Sequence, residues 1–210
     1  MAVQSPRAER DRELAGVEGN RRLTTLTAIV LLALLAVEGL TVLAGVRSTL
    51  SVHVFVGMLL LPPIALKLAS VGYRFVRYYT GSTPYRTAGP PPWFLRALGP
   101  VVVVSTVALF GSGVALIVLG PGTGSVLAVH KISFIVWGIS TSAHVLAHLR
   151  RLPGVATTEW LRRRRPRGAT VRLVALAASL VLGLGIAGST IHLASPWAHH
   201  HHFGDRFGQR

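Results

Sequence analysis

The stretch VLAVHKISFIVWGISTSAHVLAHL, residues 126–149, is apolar along most of its length and yet contains three histidines. It is longer than the ~20 residues that a helix needs to cross a bilayer. Thirteen residues separate His130 from His144, so in a helix the two side chains differ by roughly 21 Å of rise and about 40° of rotation. The stretch is therefore predicted to cross a membrane with one imidazole near each surface, on nearly the same face.

Apolar stretches of similar length make up much of the remaining chain, in which 50% of the 210 residues are hydrophobic and the mean hydropathy is +0.52. A soluble domain of this length would be less apolar. Together with residues 126–149, these stretches predict an all-α integral membrane helical bundle of five transmembrane helices, the last four of which form its core. The other predicted spans are residues 24–46, 50–73, 98–119 and 171–193.

Polar segments flank the predicted bundle, which covers residues 23–193. Residues 1–22 mix both signs of charge, and we expect a disordered cytoplasmic segment there. Residues 194–210 form an external tail that contains the run His199–His202. By composition this run either chelates a transition metal or is a solvated low-complexity tail.

The chain carries a net charge of +15, and its basic residues are unevenly distributed. If the N-terminus is cytoplasmic, 17 of the 22 basic residues fall in inner segments, which is the bias that sets the orientation of membrane proteins. We therefore expect a multi-pass protein of the cell (plasma) membrane with an external C-terminus. The arginines in its loops favour anionic lipid headgroups as partners. The uneven distribution of the charge argues against nucleic acid as a partner.

The histidine spacing of residues 126–149 has a counterpart in the second span, where His53 and Lys67 are separated by the same interval. Such a separation suits two flat cofactors stacked across a bilayer, and imidazole is the usual axial ligand of haem iron in such sites. An axial pair must come from two helices. His53 and His130 lie at similar depth near the outer surface, and they are the predicted ligands of an outer haem b.

The inner site allows more than one reading. His144 has the expected spacing from His130, but the matching position on the second span is Lys67, whose neutral amine is able in principle to bind iron. The alternatives are a haem between His144 and Lys67, a five-coordinate haem on His144, or no inner haem. His192, at the outer end of the last span, is a further candidate for the cofactor site. Glu38 is either a proton relay or a buried hydrogen-bonded acid.

The pattern of His53, His130 and His144 on neighbouring spans resembles membrane di-haem b-type cytochromes, namely the cytochrome b subunits of formate dehydrogenases and hydrogenases and the ferric-reductase-like transmembrane domains. This resemblance covers about residues 50–193 and implies a four-helix bundle that binds haem b. It also implies electron transfer between a quinone and a partner oxidoreductase. Lys67 departs from the family pattern, because the fourth imidazole of the family would stand there.

We therefore expect a b-type cytochrome that carries electrons across the bilayer between a quinone pool or reductant and a partner oxidoreductase. It is expected to act as an electron-transfer subunit rather than as a complete enzyme. The absence of cysteine excludes thiolate ligands and covalent haem attachment. The alternative is a non-redox integral membrane protein, either transporter-like or an anchor, with Glu38 and Lys67 as its polar pathway.

Overall fold

The computed structural model describes residues 6–87, 93–149 and 168–199. These residues are almost entirely helical, and the short connections between helices are turns. The elements are α1 (Pro6–Leu43), α2 (Leu50–Tyr79), α3 (Thr83–Thr87), α4 (Trp93–Leu119), α5 (Gly124–Leu149), α6 (Ala169–Thr190), a 3-10 turn (Ile191–Ala194) and α7 (Ser195–His199).

Five segments of these helices are long and apolar enough to cross a membrane. This confirms the prediction of an all-α chain with five candidate membrane spans. The spans differ from the predicted apolar stretches at their ends: the first begins at Gly16 rather than at residue 24, α2 continues to Tyr79, and α4 begins at Trp93. They are Gly16–Leu43, Leu50–Tyr79, Trp93–Leu119, Gly124–Ala147 and Ala169–Trp197.

The beginning of the chain differs from our expectation. We expected residues 1–22 to be disordered, but α1 begins at Pro6 and continues into the first span. Glu18 accepts a hydrogen bond from Arg21, three positions later, at 2.8 Å, a spacing that stabilises a helix. Asn20 donates a hydrogen bond to a backbone carbonyl of α2 at 3.0 Å. Local ion pairing and packing on α2 therefore outweigh the polar composition of this segment.

The connection between α4 and α5 is the tight glycine turn that the sequence indicates. Gly120 and Gly122 have φ angles of 74° and 108°, which side chains rarely allow. Across this hairpin the indole nitrogen of Trp137 donates to the hydroxyl of Thr106 at 3.0 Å. The two helices therefore form an antiparallel pair that is joined within its apolar part by a hydrogen bond.

Beside the α4–α5 pair there is a second group of helices. Helix α2 is at its centre, since it packs against both α1 and α6. A Cβ atom at Gly183 of α6 would lie only 2.5 Å from the backbone oxygen of Leu59 on α2, so only glycine permits this approach. Close contact over small residues is a common way for membrane helices to associate. Within the described residues, no backbone packing of comparable extent joins α5 to α2.

Candidate functional site

His53, near the start of α2, is held by the neighbouring helix α1. Its Nδ1 atom lies 2.8 Å from Glu38 Oε1 and 3.0 Å from Thr41 Oγ1. The imidazole and the carboxylate are largely buried, with 22% and 16% of their side-chain surfaces exposed. Two oxygen atoms of α1 thus fix one edge of the His53 ring.

The Thr41 hydroxyl determines where the hydrogen atoms of this cluster lie. Thr41 Oγ1 donates to the backbone carbonyl of Glu38 at 2.6 Å. A hydroxyl has a single hydrogen to donate, so the Thr41 oxygen must act as an acceptor toward His53. Nδ1 of His53 therefore carries a hydrogen, which it shares between the Thr41 hydroxyl and the Glu38 carboxylate. In the neutral ring, the lone pair then lies on Nε2.

His130, in the first part of α5, is held by α4 in a similar way. Its Nδ1 atom lies 3.1 Å from the Leu109 carbonyl oxygen and 3.1 Å from Ser112 Oγ. Ser112 donates its hydrogen to the same carbonyl at 3.0 Å, so its oxygen accepts from the imidazole. Nδ1 of His130 therefore also carries the hydrogen, and the neutral ring has its lone pair on Nε2.

The two supports share one local arrangement. In each, a hydroxyl residue donates to the carbonyl three positions earlier in its own helix and accepts from a histidine of the next helix. Thr41 has this role for His53, and Ser112 has it for His130. The supports differ in charge, because the second acceptor of His53 is a carboxylate whereas that of His130 is a neutral carbonyl oxygen. The same ring orientation is thus imposed twice, in two different electrostatic settings.

The two imidazoles belong to helices α2 and α5, which make few backbone contacts with each other. We refer to the part of the bundle that contains His53 and His130 as the histidine end. Each ring is held at Nδ1 by a neighbouring helix, α1 for His53 and α4 for His130, so Nε2 is the nitrogen that remains to bind a metal. That His53 and His130 share one cofactor stays a prediction.

Gly113 on α4 makes room for the His130 ring. A Cβ atom at this position would lie 3.2 Å from His130 Cε1 and 3.6 Å from its Nδ1. The first distance is tighter than ordinary van der Waals contact, so a side chain at Gly113 would displace the imidazole. Gly111, two positions earlier on the same helix, is exposed and would present its Cβ to open space.

Lys67 lies at the other end of the α1–α2 pair, which we call the lysine end. Its Nζ atom donates to the backbone carbonyl of Thr24 on α1 at 2.7 Å. Thr24 Oγ1 also lies 2.9 Å from the hydroxyl of Ser70 on α2. The ammonium group is therefore engaged by α1, whereas an iron ligand shared with His144 would face α5. That Lys67 binds iron together with His144 stays a prediction.

The remaining candidate histidines are placed less distinctively. His144 is partly buried on α5, and His192 is exposed in the 3-10 turn after α6. The side chain of His148 and residues 200–202 of the tail lie outside the described residues. The proposals that His144 and His192 bind a cofactor therefore stay predictions.

Sequence reasoning identified His53 and His130 but missed the groups that hold them. Thr41 and Ser112 were not singled out, and Glu38 was given no specific partner. A hydroxyl residue one helix away from a histidine, at matching depth, was the available signal. It is weak because other hydroxyls of the bundle, such as that of Ser179, also bond to a carbonyl of their own helix.

Within the described residues, no group of three or more histidine and acidic side chains is arranged to hold a metal ion. Comparison with known proteins found no matching family model, curated protein or solved structure. The chain is therefore assigned as an all-α protein with five candidate membrane spans, without assignment to a family.

Proposed function

We propose that this protein is a membrane b-type cytochrome that binds one haem between α2 and α5, with Nε2 of His53 and Nε2 of His130 as the axial ligands. The observation that carries the proposal is the matched hydrogen bonding of the two rings. Each ring donates from Nδ1 to an oxygen of a neighbouring helix, so each neutral ring has its lone pair on Nε2. A ring orientation fixed through Nδ1 and a lone pair on Nε2 are two conditions that a haem-binding histidine must meet.

The residues around the two rings fit such a cofactor. Metal-binding histidines almost always donate their other ring hydrogen to a carboxylate or a backbone carbonyl, which fixes the ring and raises its basicity. Glu38 offers the carboxylate to His53, and Leu109 offers the carbonyl to His130. The ligands come from two helices that are not packed together, as a planar group inserted between them requires.

Haem would supply one-electron transfer, and the protein would supply its ligands, orientation and an apolar surrounding. The glycine at position 113 leaves room for the His130 ring. A quinone or another reductant as donor, and a partner oxidoreductase as acceptor, complete the proposal. The role is that of an electron-transfer subunit in the cell membrane.

One haem is proposed rather than two. A second haem at the lysine end would need a ligand from α2 opposite His144, and the amine of Lys67 is bonded to Thr24 instead. The contacts of Glu38 and Lys67 also weaken the non-redox alternative. Glu38 is paired with His53 and Lys67 with α1, and they lie at opposite ends of the α1–α2 pair, so they do not form a continuous polar pathway.

The test is the absorption spectrum of the full-length protein purified in detergent from cells supplied with a haem precursor. We expect a Soret band, a b-type α-band on reduction, and one haem per chain by the pyridine haemochrome assay. In His53→Ala the haem should be lost while the helical circular dichroism persists, and added imidazole should restore part of the Soret band. A colourless wild-type protein that also fails to bind added haemin would contradict the proposal and favour the non-redox alternative.

A further inference from the structure

We propose that Glu38 is a positioning residue that lowers the reduction potential of the haem through its hydrogen bond with His53. This inference rests on the proposed function, since it assigns a role toward the same cofactor. It concerns an asymmetry between the two ligands, one of which is held by an anion and the other by a neutral group.

The asymmetry lies in the oxygen atoms that accept from the two Nδ1 atoms. Glu38 Oε1 lies 2.8 Å from Nδ1 of His53, which is the length of a charge-assisted hydrogen bond. The corresponding acceptor of His130 is the Leu109 carbonyl oxygen at 3.1 Å. The hydroxyl contacts of the two rings are alike, at 3.0 Å for Thr41 and 3.1 Å for Ser112. Charge is therefore the main difference between the two supports.

The carboxylate of Glu38 is placed where its charge acts strongly. Only 16% of its side-chain surface is exposed, and Oε2, its second oxygen, is buried with no hydrogen-bond partner among the described residues. Interactions between charges are much stronger in such a setting than in water. An anion that is half satisfied is a poor source of stability on its own, so we infer that its charge serves the group bound at the far side of His53.

The direction of the effect follows from simple electrostatics. A carboxylate that accepts the Nδ1 hydrogen increases the electron density of the imidazole and makes it a stronger ligand. Nearby negative charge also favours the oxidised form of the iron, because that form carries one more positive charge. Both effects stabilise ferric haem relative to ferrous haem. Glu38 should therefore hold the midpoint potential below the value that two neutral supports would give.

The experiment is a redox titration of the haem in wild-type protein and in Glu38→Gln, with Glu18→Gln as the matched control. Glutamine keeps the size of the side chain and an oxygen that accepts from Nδ1, but it removes the charge. Glu18 lies on the same helix and is paired with Arg21 and Arg22, about 30 Å from Glu38 along the helix. We expect a positive shift of the midpoint potential in Glu38→Gln and none in Glu18→Gln.

A third variant, Glu38→Asp, separates charge from packing. If Glu38→Gln fails to retain haem, retention in Glu38→Asp would still support a role for the charge. An unchanged midpoint potential in Glu38→Gln, or equal loss of haem from both Glu38 variants, would overturn the inference while leaving the proposed haem site in place. A wild-type protein without haem would overturn the proposed function itself, together with this inference.

Discussion

The histidine end and the lysine end of α2 carry side chains at matching positions, but the neighbouring helix α1 forms different hydrogen bonds with them. At the histidine end, α1 accepts a hydrogen from one nitrogen of His53 and leaves the other nitrogen with its lone pair. At the lysine end, α1 accepts directly from the terminal nitrogen of Lys67. The first contact leaves a second nitrogen unengaged by α1, whereas the second fixes the terminal nitrogen of Lys67 against α1.

Equal spacing of two side chains along a helix therefore does not give them equal surroundings. The interval between His53 and Lys67 matches that between His130 and His144, and it suggests two stacked sites. Whether a side chain serves as a ligand depends on which of its atoms the adjacent helix binds. Imidazole has two nitrogens, so one is able to be held while the other binds a metal. An amine has a single nitrogen, which at Lys67 is already fixed against α1 by its hydrogen bond to Thr24.

The largest effect should separate the two histidines of α5. We expect His130→Ala to lose the haem, because it removes one of the two axial nitrogens, whereas His144→Ala should keep the haem at the histidine end. The haem-to-protein ratio and the reduced α-band of the two purified variants measure this difference. Loss of all haem from His144→Ala, with normal haem content in His130→Ala, would reverse the comparison and move the site to the lysine end.

The next effect concerns the space beside His130. In Gly113→Val the new Cβ would lie 3.2 Å from the ring, so the imidazole must shift, and overpacking of this kind costs about 1–3 kcal/mol. We expect haem affinity to weaken by roughly five-fold to 100-fold, since 1.4 kcal/mol corresponds to a factor of ten. Titration of the haem-depleted protein with haemin gives the affinity.

Gly111→Val is the matched control for this experiment. It makes the same change in helix propensity on the same helix, but its Cβ meets nothing within 4 Å. Its haem affinity should stay close to that of the wild type. Equal weakening in both variants would indicate a general loss of helix stability and would remove the evidence for a His130 ring seated against Gly113.

The fold was largely predictable because its signal is long and local. Five apolar stretches are long enough to span a bilayer, and five candidate spans are present in the structure. The ends of the helices were less predictable. Residues from Pro6 to the first span have a polar composition that is typical of disorder, yet they are helical. At the start of the first span, contacts such as that of Asn20 with α2 add to this helix, and composition does not reveal them.

Of the candidate site, the sequence singles out only the histidines, and their role as ligands stays a prediction. A histidine in an apolar span stands out, and so His53 and His130 were identified. Thr41 and Ser112 resemble any other hydroxyl residue of a membrane helix, because each bonds to a carbonyl of its own turn. Their second role depends on how α1 faces α2 and how α4 faces α5. Lys67 shows the converse, since its spacing indicated a ligand whereas its contact with Thr24 indicates a link between helices.

The smallest effect is expected at Lys67 and gives the sharpest contrast between the two ends. Lys67→Met removes the hydrogen bond to Thr24 but keeps most of the volume of the side chain, and it also removes a partly buried charge. Polar contacts between membrane helices are worth about 0.6 kcal/mol on average, so we expect a change below about 1 kcal/mol in the free energy of unfolding. Haem content and midpoint potential should both equal those of the wild type, because Lys67 Nζ is directed to α1 and not to the cofactor.

Denaturant titration in mixed micelles measures the free energy of unfolding of Lys67→Met, and the pyridine haemochrome assay measures its haem content. Haem loss in Lys67→Met comparable to that in His53→Ala would mean that the amine reaches the iron, and the two ends of α2 would then be equivalent after all.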